Sequence, residues 1–486
     1  MAKFKLPGEF FAKELHGYEF LPFKFHRLKT GRVFVSNIVG EWLVLDKQTF
    51  ELFISSSLKP AAAAYADLRA RHFLLDRDSG VAVDLLTVKL RQRLQHLRSV
   101  FGLAIFVVTL RCEHSCPYCQ VSRQSDDRAS FDMSTIHADA ALKLLFDSPA
   151  QDIKIEFQGG EPLLNFELIQ HIVLKAKRLS EVNGKAVSFV ITSNLATLTD
   201  DVIAFCAANN ILLSTSLDGP PELHNKNRPR RGGNSHQLAA DGIARIQSLL
   251  GPDRVAALMT TTKASLSRAV DIIDEYRRRN LHEIFLRPLS PYGFAVKTNW
   301  FKAYDQMEWL QFYREGLRYI IDLNKCGERV IEVYASTILG KMLTSRPGGY
   351  VDMMNPAGIG SRVIVFNYDG YIYASDEARM LSEMGDKTFR LGNLSADSLA
   401  DLVLTDPLLD AIEETVLESV PMCSDCAFQP YCGADPVYHH ATQGDAVGHK
   451  AFSGFCNRQM GIFEELVELM DTDPEAARIL SSWVRQ

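Results

Sequence analysis

The chain has 486 residues, 47% of them hydrophobic, so it can bury a large core and is not globally disordered. Its net charge is −6 and it has no long basic run, which argues against a nucleic-acid partner because phosphate binding needs clustered Lys and Arg. The amino-terminal segment lacks the apolar h-region of a signal peptide, and no apolar run reaches the ~18 residues of a membrane span, so we expect a cytoplasmic protein without a membrane partner.

The first hundred residues predict a small separate module. RVFVSN (32–37) and EWLVLD (41–46) read as two short strands, and KQTFELF (47–53) and AAYADLRARHFLL (63–75) read as two helices. Strands followed by small helices resemble a winged-helix module, which we assign to residues 1–98. Modules of this kind bind peptides by adding them as a strand to a sheet edge, so we expect a role in peptide recognition.

Residues from about 101 to 290 alternate strand and helix signals. The alternation predicts an α/β fold with a parallel barrel or a doubly wound sheet, in which functional sites lie at the carboxyl ends of the strands. The first strand is a near-continuous apolar run, as in a strand buried on both faces. The six predicted strands are LAIFVVTL (103–110), IKIEFQ (153–158), AVSFVITSN (186–194), ILLSTSLDG (211–219), VAALMTTTK (255–263) and EIFLRPLS (283–290).

Three cysteines follow the first strand directly, with the spacing Cys112-x3-Cys116-x2-Cys119. Three thiolates on a short loop can ligate three irons of a [4Fe–4S] cluster and leave the fourth iron open. The alternative is a zinc site, for which His114 inside the loop could serve as the fourth ligand. The spacing of the cysteines alone permits either metal.

A second motif, Gly159-Gly160-Glu161-Pro162, follows the second strand. Two glycines let a backbone approach a ligand closely, and the Glu161 carboxylate could accept a hydrogen bond from a substrate ammonium group. The same four residues could equally form a simple turn between strand and helix. Their place one strand and helix after the three-cysteine loop favours a shared binding site.

Together these motifs resemble those of the radical S-adenosylmethionine (radical SAM) superfamily, in which Tyr118 matches the aromatic position of the cysteine loop. The resemblance implies a partial (β/α)6 barrel over residues 99–290. It also implies that S-adenosylmethionine binds the open iron and is cleaved reductively to a 5′-deoxyadenosyl radical. Gly159, Gly160, Glu161 and Pro162 would contact the methionine moiety of the cofactor.

The resemblance extends to polar residues at the ends of later strands. Each of them could instead be a capping or turn residue. Ser193 and Asn194 would lie near the ribose or the carboxylate of the cofactor, and Arg287 would contact the cofactor or form an ion pair at the barrel mouth. The residues implied to hold the carboxylate or shape the mouth are Ser216, Asp218 and Arg228.

Beyond the barrel, residues 291–345 predict a helical linker, with Trp309 and Tyr313 on one helix face. Residues 346–486 are the predicted carboxyl-terminal domain. It begins with a hairpin in SRVIVFNYDGYIYASDEAR, whose turn lies near Asp369-Gly370.

The second cysteine group provides four thiols, which complete one tetrathiolate site for structural zinc or for a fully ligated [4Fe–4S] cluster. The segment resembles the twitch/SPASM-like iron–sulfur domain of peptide-modifying radical enzymes, which implies a cluster. Members of that family carry further cysteines where this chain has Ser375 and Pro436. The resemblance therefore implies one auxiliary [4Fe–4S] cluster rather than two, held by Cys423, Cys426, Cys432 and Cys456.

Asp376 follows the position of one missing cysteine. In related enzymes that modify sulfatases, an Asp at this position is a candidate proton acceptor, so the resemblance makes Asp376 a catalytic candidate. A general base must reach the proton that it removes, and sequence does not show reach. The alternative is that Asp376 forms an ion pair with Arg379.

Three longer stretches, at residues 25–46, 355–380 and 438–464, resemble the maturase of the His-Xaa-Ser repeat system. This resemblance implies post-translational modification of a peptide or small protein with such repeats, together with a second radical SAM enzyme and a small accessory protein. A reductant such as flavodoxin or ferredoxin would supply electrons. The alternatives are a sulfatase-type, formylglycine-forming maturase and a non-catalytic iron–sulfur or zinc scaffold.

Overall fold

The computed structural model describes residues 17–76, 81–98, 100–344 and 350–484. Most of the amino-terminal segment considered above for a signal peptide lies outside these residues, as do the predicted domain starts at residues 99 and 346. Within the part of the chain that the structure describes, none of the helices combines the length and apolar character that crossing a bilayer requires.

The amino-terminal module has the predicted strands followed by helices, but the helix predicted over residues 63–75 ends at Ala70, and Leu74–Asp76 is a strand that pairs with Tyr18–Phe20. Its strands β2, β3 and β4 form an antiparallel sheet in that order, and β1 pairs with β5. The module has its own core, which includes Phe50, Phe53 and Phe73. Its elements are β1 (Tyr18–Phe20), β2 (Phe23–Arg27), β3 (Val33–Asn37), β4 (Trp42–Leu45), α1 (Lys47–Ile54), α2 (Ala63–Ala70), β5 (Leu74–Asp76), α3 (Val81–Arg93) and a 3-10 turn (Leu94–Arg98).

The central region alternates strands and helices, which confirms the α/β prediction. Ser134 caps the helix after the first strand, and Gly184 ends the next long helix in the left-handed conformation. The elements are β6 (Leu103–Thr109), α4 (Arg128–Phe131), α5 (Thr135–Asp147), β7 (Asp152–Gly159), α6 (Phe166–Asn183), β8 (Ala186–Ser193), α7 (Asp200–Ala208), β9 (Leu212–Ser216), α8 (Pro221–Asn227), α9 (Ser235–Leu250), β10 (Val255–Leu258), α10 (Ala269–Arg278) and β11 (Glu283–Ile284).

The remaining elements surround this region. Trp309 and Tyr313 are buried on one face of the longest of them, as predicted. They are α11 (Phe294–Lys297), α12 (Gln306–Lys325), β12 (Ile331–Glu332), α13 (Val333–Leu343), β13 (Val363–Phe366), β14 (Tyr371–Tyr373), α14 (Asp376–Ser382), β15 (Arg390–Asn393), α15 (Leu399–Val403), α16 (Asp406–Glu414), α17 (Pro436–Gln443), α18 (Gly454–Thr472) and α19 (Pro474–Ser482).

One eight-stranded sheet organises the molecule, in the order β10-β9-β8-β7-β6-β13-β14-β15. Neighbouring strands from β10 to β13 are parallel, and the last two strands add antiparallel pairs. The predicted hairpin is present as β13 and β14. It also extends the barrel sheet, because β13 pairs with β6 and places Phe366 opposite Phe106. Strand β6 is therefore central in the sheet.

The sixth predicted barrel strand is much shorter than its apolar pattern. Only Glu283–Ile284 is a strand, and it pairs with β12 rather than with β10. Beyond it, the Leu286 N–H donates to a side-chain oxygen of Glu332 (3.2 Å), and the Arg287 N–H turns back to Phe285 O (2.8 Å). Pro288 then has no N–H to donate, so a ladder cannot continue.

The amino-terminal module packs on the carboxyl-terminal cysteine segment. The Phe34 ring stacks on Phe428 with 4.9 Å between centroids, and the Ser36 hydroxyl donates to Ala427 O. Lys24 Nζ donates to Gln429 Oε1 at 2.9 Å. The module and the cysteine segment therefore share buried surface.

Candidate functional site

The first cysteine loop leaves the carboxyl end of β6, where parallel-sheet folds place their sites. Three backbone hydrogen bonds fix it. Ser115 N donates to Pro229 O (2.7 Å), Cys119 N to Cys116 O (3.1 Å), and Phe294 N to Cys119 O (2.7 Å). Segments from three parts of the chain thus hold the loop.

A buried ion pair anchors the start of the loop. The Arg111 guanidinium donates to both carboxylate oxygens of Asp132, at 2.7 and 2.9 Å, and to Leu164 O at 2.7 Å. Its third contact, with the exposed Asp126, is 3.1 Å long. Bidentate pairing fixes the orientation of both side chains. The sequence analysis did not single out this pair.

The Gly159-Gly160 pair lies directly against the end of β6. A Cβ on Gly160 would lie 2.3 Å from Arg111 O, and one on Gly159 would lie 2.0 Å from Thr109 O. Gly160 N donates to Thr109 O (2.9 Å), and Glu161 N donates to Arg111 O (2.7 Å). The glycines are therefore required by backbone-to-backbone packing, which presses this motif against the cysteine loop.

Glu161 is fully buried among donors from the turn that follows it and from the end of β8. Its Oε1 accepts from Leu163 N (3.0 Å) and from the Ser193 hydroxyl (2.8 Å), and its Oε2 accepts from Asn194 N (2.8 Å). Burial, with a smaller contribution from nearby Glu113, raises the pKa of Glu161 to about 7. A carboxylate in this setting is stabilised by any cation that reaches it. The structure thus brings Glu161, Ser193 and Asn194 together.

A second network ties His114 of the loop to later residues. His114 Nε2 and His224 Nε2 both contact the Ser235 hydroxyl, at 2.9 and 3.0 Å. His114 Nδ1 lies 2.9 Å from Glu113 Oε1 and 3.0 Å from Asn194 Nδ2. Both ring nitrogens of His114 are therefore occupied by protein partners, which argues against its use as a zinc ligand.

Tyr118, Asp218 and Arg228 form one buried cluster. The Tyr118 hydroxyl donates to Asp218 Oδ2 (2.5 Å), and Arg228 Nε donates to the same oxygen (3.1 Å). The Arg228 guanidinium also lies 5.5 Å from the centre of the Tyr118 ring. Ser216 is the last residue of β9, two positions before Asp218. Asp218 and Arg228, which follow β9 and α8, thus contact Tyr118 of the cysteine loop.

Two thiols of the loop, those of Cys112 and Cys116, need a positive partner to ionise. Burial raises the pKa of Cys116 to about 12 and the pKa of Cys112 well above its usual value. Among the described residues, the one group of three Cys, His, Asp or Glu ligand atoms within 4.8 Å of one another is Cys112, Glu113 and His114. The three sulfurs are thus spread wider than the ~3.8 Å of a tetrahedral zinc–thiolate site.

The second cysteine group lies in one buried region. Burial raises the pKa of Cys432 to about 12, and all three other cysteines of the group lie close enough to raise it further. No three of the four sulfurs are within 4.8 Å of one another, again among the described residues. The four residues are Cys423 and Cys426 in a turn, Cys432 after a 3-10 turn, and Cys456 in the first turn of α18.

Lysines surround these thiols. Lys341 donates to Cys432 O at 2.9 Å, and burial lowers the pKa of Lys341 to about 7. Burial lowers the pKa of Lys450. Negative charge on the nearby Cys423, Cys456 and Cys432 opposes this lowering. Burial alone disfavours the charged form of both lysines, whereas nearby thiolates favour it, so negative charge on the cysteines would draw protons onto these lysines.

Asp376 and Arg287 both lie near the barrel mouth, but they contact different residues. Asp376 Oδ1 accepts from Arg379 Nη2 at 2.9 Å, and Arg379 is buried and also donates to Val121 O at 3.0 Å. Arg287 lines a cavity of about 40 Å³, together with Glu377. Asp376 is not among the residues that line this cavity. Its neighbour Glu377 was not singled out from the sequence.

Several site residues have no strong sequence signal. The Arg111 and Asp132 pair flanks a loop, and only their opposite charges near the cysteines could have indicated it. His224 and Ser235 lie on helices, where polar residues are common. The cavity carboxyls are far apart in the chain, so no spacing pattern connects them.

The comparisons with known proteins agree with this geometry. Residues 106–274 match the family model described as the radical SAM superfamily. The chain is 29% identical to an uncharacterized protein of Methanothermobacter thermautotrophicus over 51% of this chain and 89% of that protein. It is 23% identical to a cysteine-type anaerobic sulfatase-maturating enzyme of Clostridium novyi, over 66% of this chain and 83% of the relative.

Two kinds of solved structure share the fold. Native anSMEcpe with bound AdoMet superposes with a TM-score of 0.62 at 15% identity, covering 78% of this chain and 99% of that one. Streptococcus suis SuiB bound to its precursor peptide SuiA gives a TM-score of 0.51 at 14% identity, covering 88% and 97%. At these identities the likeness shows the fold alone.

Proposed function

Because residues 106–274 form a radical SAM domain and the chain is therefore a radical SAM enzyme, we propose that it is a maturase that modifies a peptide or small protein. The family uses a [4Fe–4S] cluster and S-adenosylmethionine. When bound, the cluster supplies the electron that cleaves this cofactor into a 5′-deoxyadenosyl radical, which abstracts hydrogen from the substrate.

The main support for the proposal is the contact between the residues that follow β6 and those that follow β7. Cys112, Cys116 and Cys119 would hold the cluster, and Glu161 N is bonded to Arg111 O immediately before the first of them. The adjoining carboxylate of Glu161 would orient the cofactor's ammonium group. The wide spread of the sulfurs and the occupied ring of His114 favour a cluster over zinc.

The other residues of the barrel mouth would position the cofactor. Gly159, Gly160 and Pro162 would shape the contact with its methionine moiety, while Ser193 and Asn194 hold Glu161 in place. The buried cluster formed by Tyr118, Asp218 and Arg228 braces the loop from the opposite side. The further residues in this proposal are Ser216, at the end of β9, and Arg287.

The carboxyl-terminal cysteines would hold one auxiliary [4Fe–4S] cluster. Four thiols fill all four iron positions, so electron transfer or structural support suits this cluster better than direct substrate binding. The surrounding lysines would offset its charge. We also propose the division into a recognition module (1–98), a barrel (99–290), a linker (291–345) and an auxiliary-cluster domain (346–486).

A groove beside the amino-terminal sheet supports a peptide substrate. Strand β4 pairs only with β3 among the described strands, and a groove runs along its outer side between Arg71, Met342 and Asp471. A peptide could add there as a further strand. The solved SuiB structure contains its precursor peptide, which supports the same class of substrate here. We propose His-Xaa-Ser repeats as the substrate feature.

The remaining partners in the proposal are a reductant such as flavodoxin or ferredoxin, a second radical SAM enzyme and a small accessory protein. Asp376 would serve as the proton acceptor at the modified residue. Its Oδ1 accepts a hydrogen bond from Arg379 Nη2 at 2.9 Å, which fixes the position of the carboxylate.

Two measurements test the proposal. Anaerobic reconstitution with iron and sulfide should give about eight irons per chain, four for each cluster. The reduced protein should then convert S-adenosylmethionine to 5′-deoxyadenosine, and Cys116→Ala should abolish both this product and the paramagnetic signal of the first cluster. Formation of no 5′-deoxyadenosine by fully loaded protein would identify a non-catalytic scaffold instead.

The second candidate is a sulfatase-type maturase, which the Clostridium novyi relative favours. The missing auxiliary cysteines, at Ser375 and Pro436, count against it. Mass spectrometry of a co-expressed substrate separates the two. A substrate that forms a cross-link loses two hydrogens and does not react with hydrazine, whereas a substrate that carries an aldehyde does react with hydrazine.

A further inference from the structure

The cavity beside the barrel mouth is built from several separate parts of the chain, including Trp309 of α12 and Tyr334 of α13. The end of the sixth barrel segment, the residues around Tyr350, helix α14 and the segments next to the second cysteine group all contribute side chains. Its polar lining residues include Arg287, Asp352, Glu377, Asp435 and Arg458. None of these is among the cysteine ligands or the GGEP motif.

Two chain segments connect this cavity to the first cysteine loop. Ser290 and Tyr292 line the cavity, and the Ser290 carbonyl and the next residues, Gly293 and Phe294, touch the loop at Cys119 and Gln120. In helix α14, Glu377 lines the cavity while Arg379 donates to Val121 O. The cavity therefore adjoins the loop that would carry the cluster.

The charges in the cavity do not balance. Three carboxyl groups stand against two guanidinium groups, which leaves one negative charge in excess when all are ionised. Among the described residues, neither Arg287 nor Arg458 approaches any of the three carboxylates within 4 Å as an ion pair. Burial is the main cause that raises the pKa of Asp435 to about 7, and it also raises the pKa values of Asp352 and Glu377.

The closest contacts of Arg458 are with other groups, although its positive charge still acts on Asp352 and Asp435. Its guanidinium lies 5.8 Å from the centre of the Tyr438 ring and 5.3 Å from that of Phe455. It also contacts Gln306 Oε1 at 3.4 Å. Among the described residues, the three carboxyls thus form no ion pair with either arginine within 4 Å, while aromatic rings, which attract cations over their faces, line the same cavity.

Two unpartnered polar atoms point to a missing ligand. The Tyr292 hydroxyl and the Trp309 indole Nε1 have no hydrogen-bond partner, although both side chains line the cavity and are only 1% exposed. Buried polar groups are rarely left unpaired, because an unpaired group loses its hydrogen bonds to water without regaining them in the protein. The indole N–H can only donate, whereas a tyrosine hydroxyl can also accept.

We propose that this cavity is a subsite for a cationic side chain of the peptide substrate, with Glu377, Asp352 and Asp435 as its anionic partners. A bound cation supplies the charge that the carboxylates lack and can donate to the Tyr292 hydroxyl. The Trp309 N–H needs an acceptor, which a backbone carbonyl of the same peptide offers. The inference rests on the proposed peptide substrate and names the kind of residue that the enzyme selects.

The test uses small probes on anaerobically reconstituted protein. The probes are the Nα-acetyl methylamides of lysine and arginine as cations, of norleucine as the neutral analogue, and of glutamate as the anion. Ligand-observed NMR titrations give their dissociation constants. We expect at least one cationic probe to bind tenfold or more tightly than the norleucine probe, and the glutamate probe to bind most weakly.

Two variants locate the binding site. Glu377→Gln keeps the shape of the side chain and should weaken the cationic probe at least fivefold, without weakening the norleucine probe. Tyr292→Phe should weaken the cationic probe through loss of the hydroxyl, and it keeps the test decisive if the first variant fails to fold. Glu413→Gln, on the exposed face of helix α16, is the matched control and should leave all probe affinities unchanged.

Equal binding of the cationic and norleucine probes, or unchanged binding in both Glu377→Gln and Tyr292→Phe, would overturn the subsite. Failure of the proposed function is separate. It appears as absence of 5′-deoxyadenosine from the reduced wild-type protein, which is measured without any probe. Cofactor cleavage without selective cation binding therefore rejects the subsite alone.

Discussion

Replacing Gly160 by Ala tests whether the packing of the GGEP motif on the cysteine loop controls cofactor cleavage. The new Cβ would lie 2.3 Å from Arg111 O and 2.6 Å from Leu110 O, both backbone atoms at the end of β6. Carbon and oxygen atoms normally stay at least ~3.3 Å apart, so the two segments must separate by about 1 Å. A misplacement of about 1 Å near reacting groups costs on the order of 100-fold in rate.

We therefore expect Gly160→Ala to lower the initial rate of 5′-deoxyadenosine formation about 100-fold. Chromatography of anaerobic, dithionite-reduced reactions measures this rate, with iron content determined on the same samples. Gly340→Ala is the matched control, because no atom lies within 4 Å of the new Cβ in its helix. If Gly160→Ala retained more than half of the wild-type rate, the packing argument would be wrong.

Three further predictions concern stability and metal content. Asp132→Asn should lower the free energy of unfolding by about 3–5 kcal/mol, because it leaves Arg111 buried without its carboxylate partner. Asp126→Asn, at the exposed partner, should change the free energy of unfolding by less than ~1 kcal/mol. Equal effects of the two variants in denaturant titrations would refute this reasoning. Cys432→Ser should reduce the iron content from about eight to about four per chain, and an undiminished content would exclude it as a ligand. Burial raises the pKa of Glu332 to about 7, so folding favours its protonated form. The contribution of Glu332 to the free energy of unfolding should therefore fall as the pH rises from about 4.5 to 7. Glu332→Gln should remove roughly 3 kcal/mol of this pH-dependent fall, and identical pH profiles of stability for both proteins would contradict the prediction.

Much of the barrel could be predicted from local patterns. Most of the apolar run at 103–110 forms the strand Leu103–Thr109, whose side chains are buried on both faces of the sheet, while β7 and β13 pair with its two edges. The helix from residue 166 ends at Gly184, where the left-handed backbone favours glycine. The periodicity of apolar residues and the residues that cap helices each depend on only a few neighbouring positions, so both can be recognised in the sequence.

Other features depend on distant residues and left no local pattern. The apolar pattern of EIFLRPLS predicted a full strand, but Glu332 takes the Leu286 N–H and ends the ladder. The placement of β13 beside β6 needed knowledge of pairing across about 260 positions. Asp352 and Asp435 meet in one cavity although 83 positions separate them.

The pairing of β13 with β6 also bears on how the protein is made. The strand that leads into the first cysteine loop gains its second neighbour only when residues 363–366 have been synthesised. Contacts between such distant segments form slowly, since a long loop must close first. During translation, one edge of β6 therefore stays unpaired until β13 has been synthesised. We expect iron to be inserted into a stable loop only after most of the polypeptide has left the ribosome.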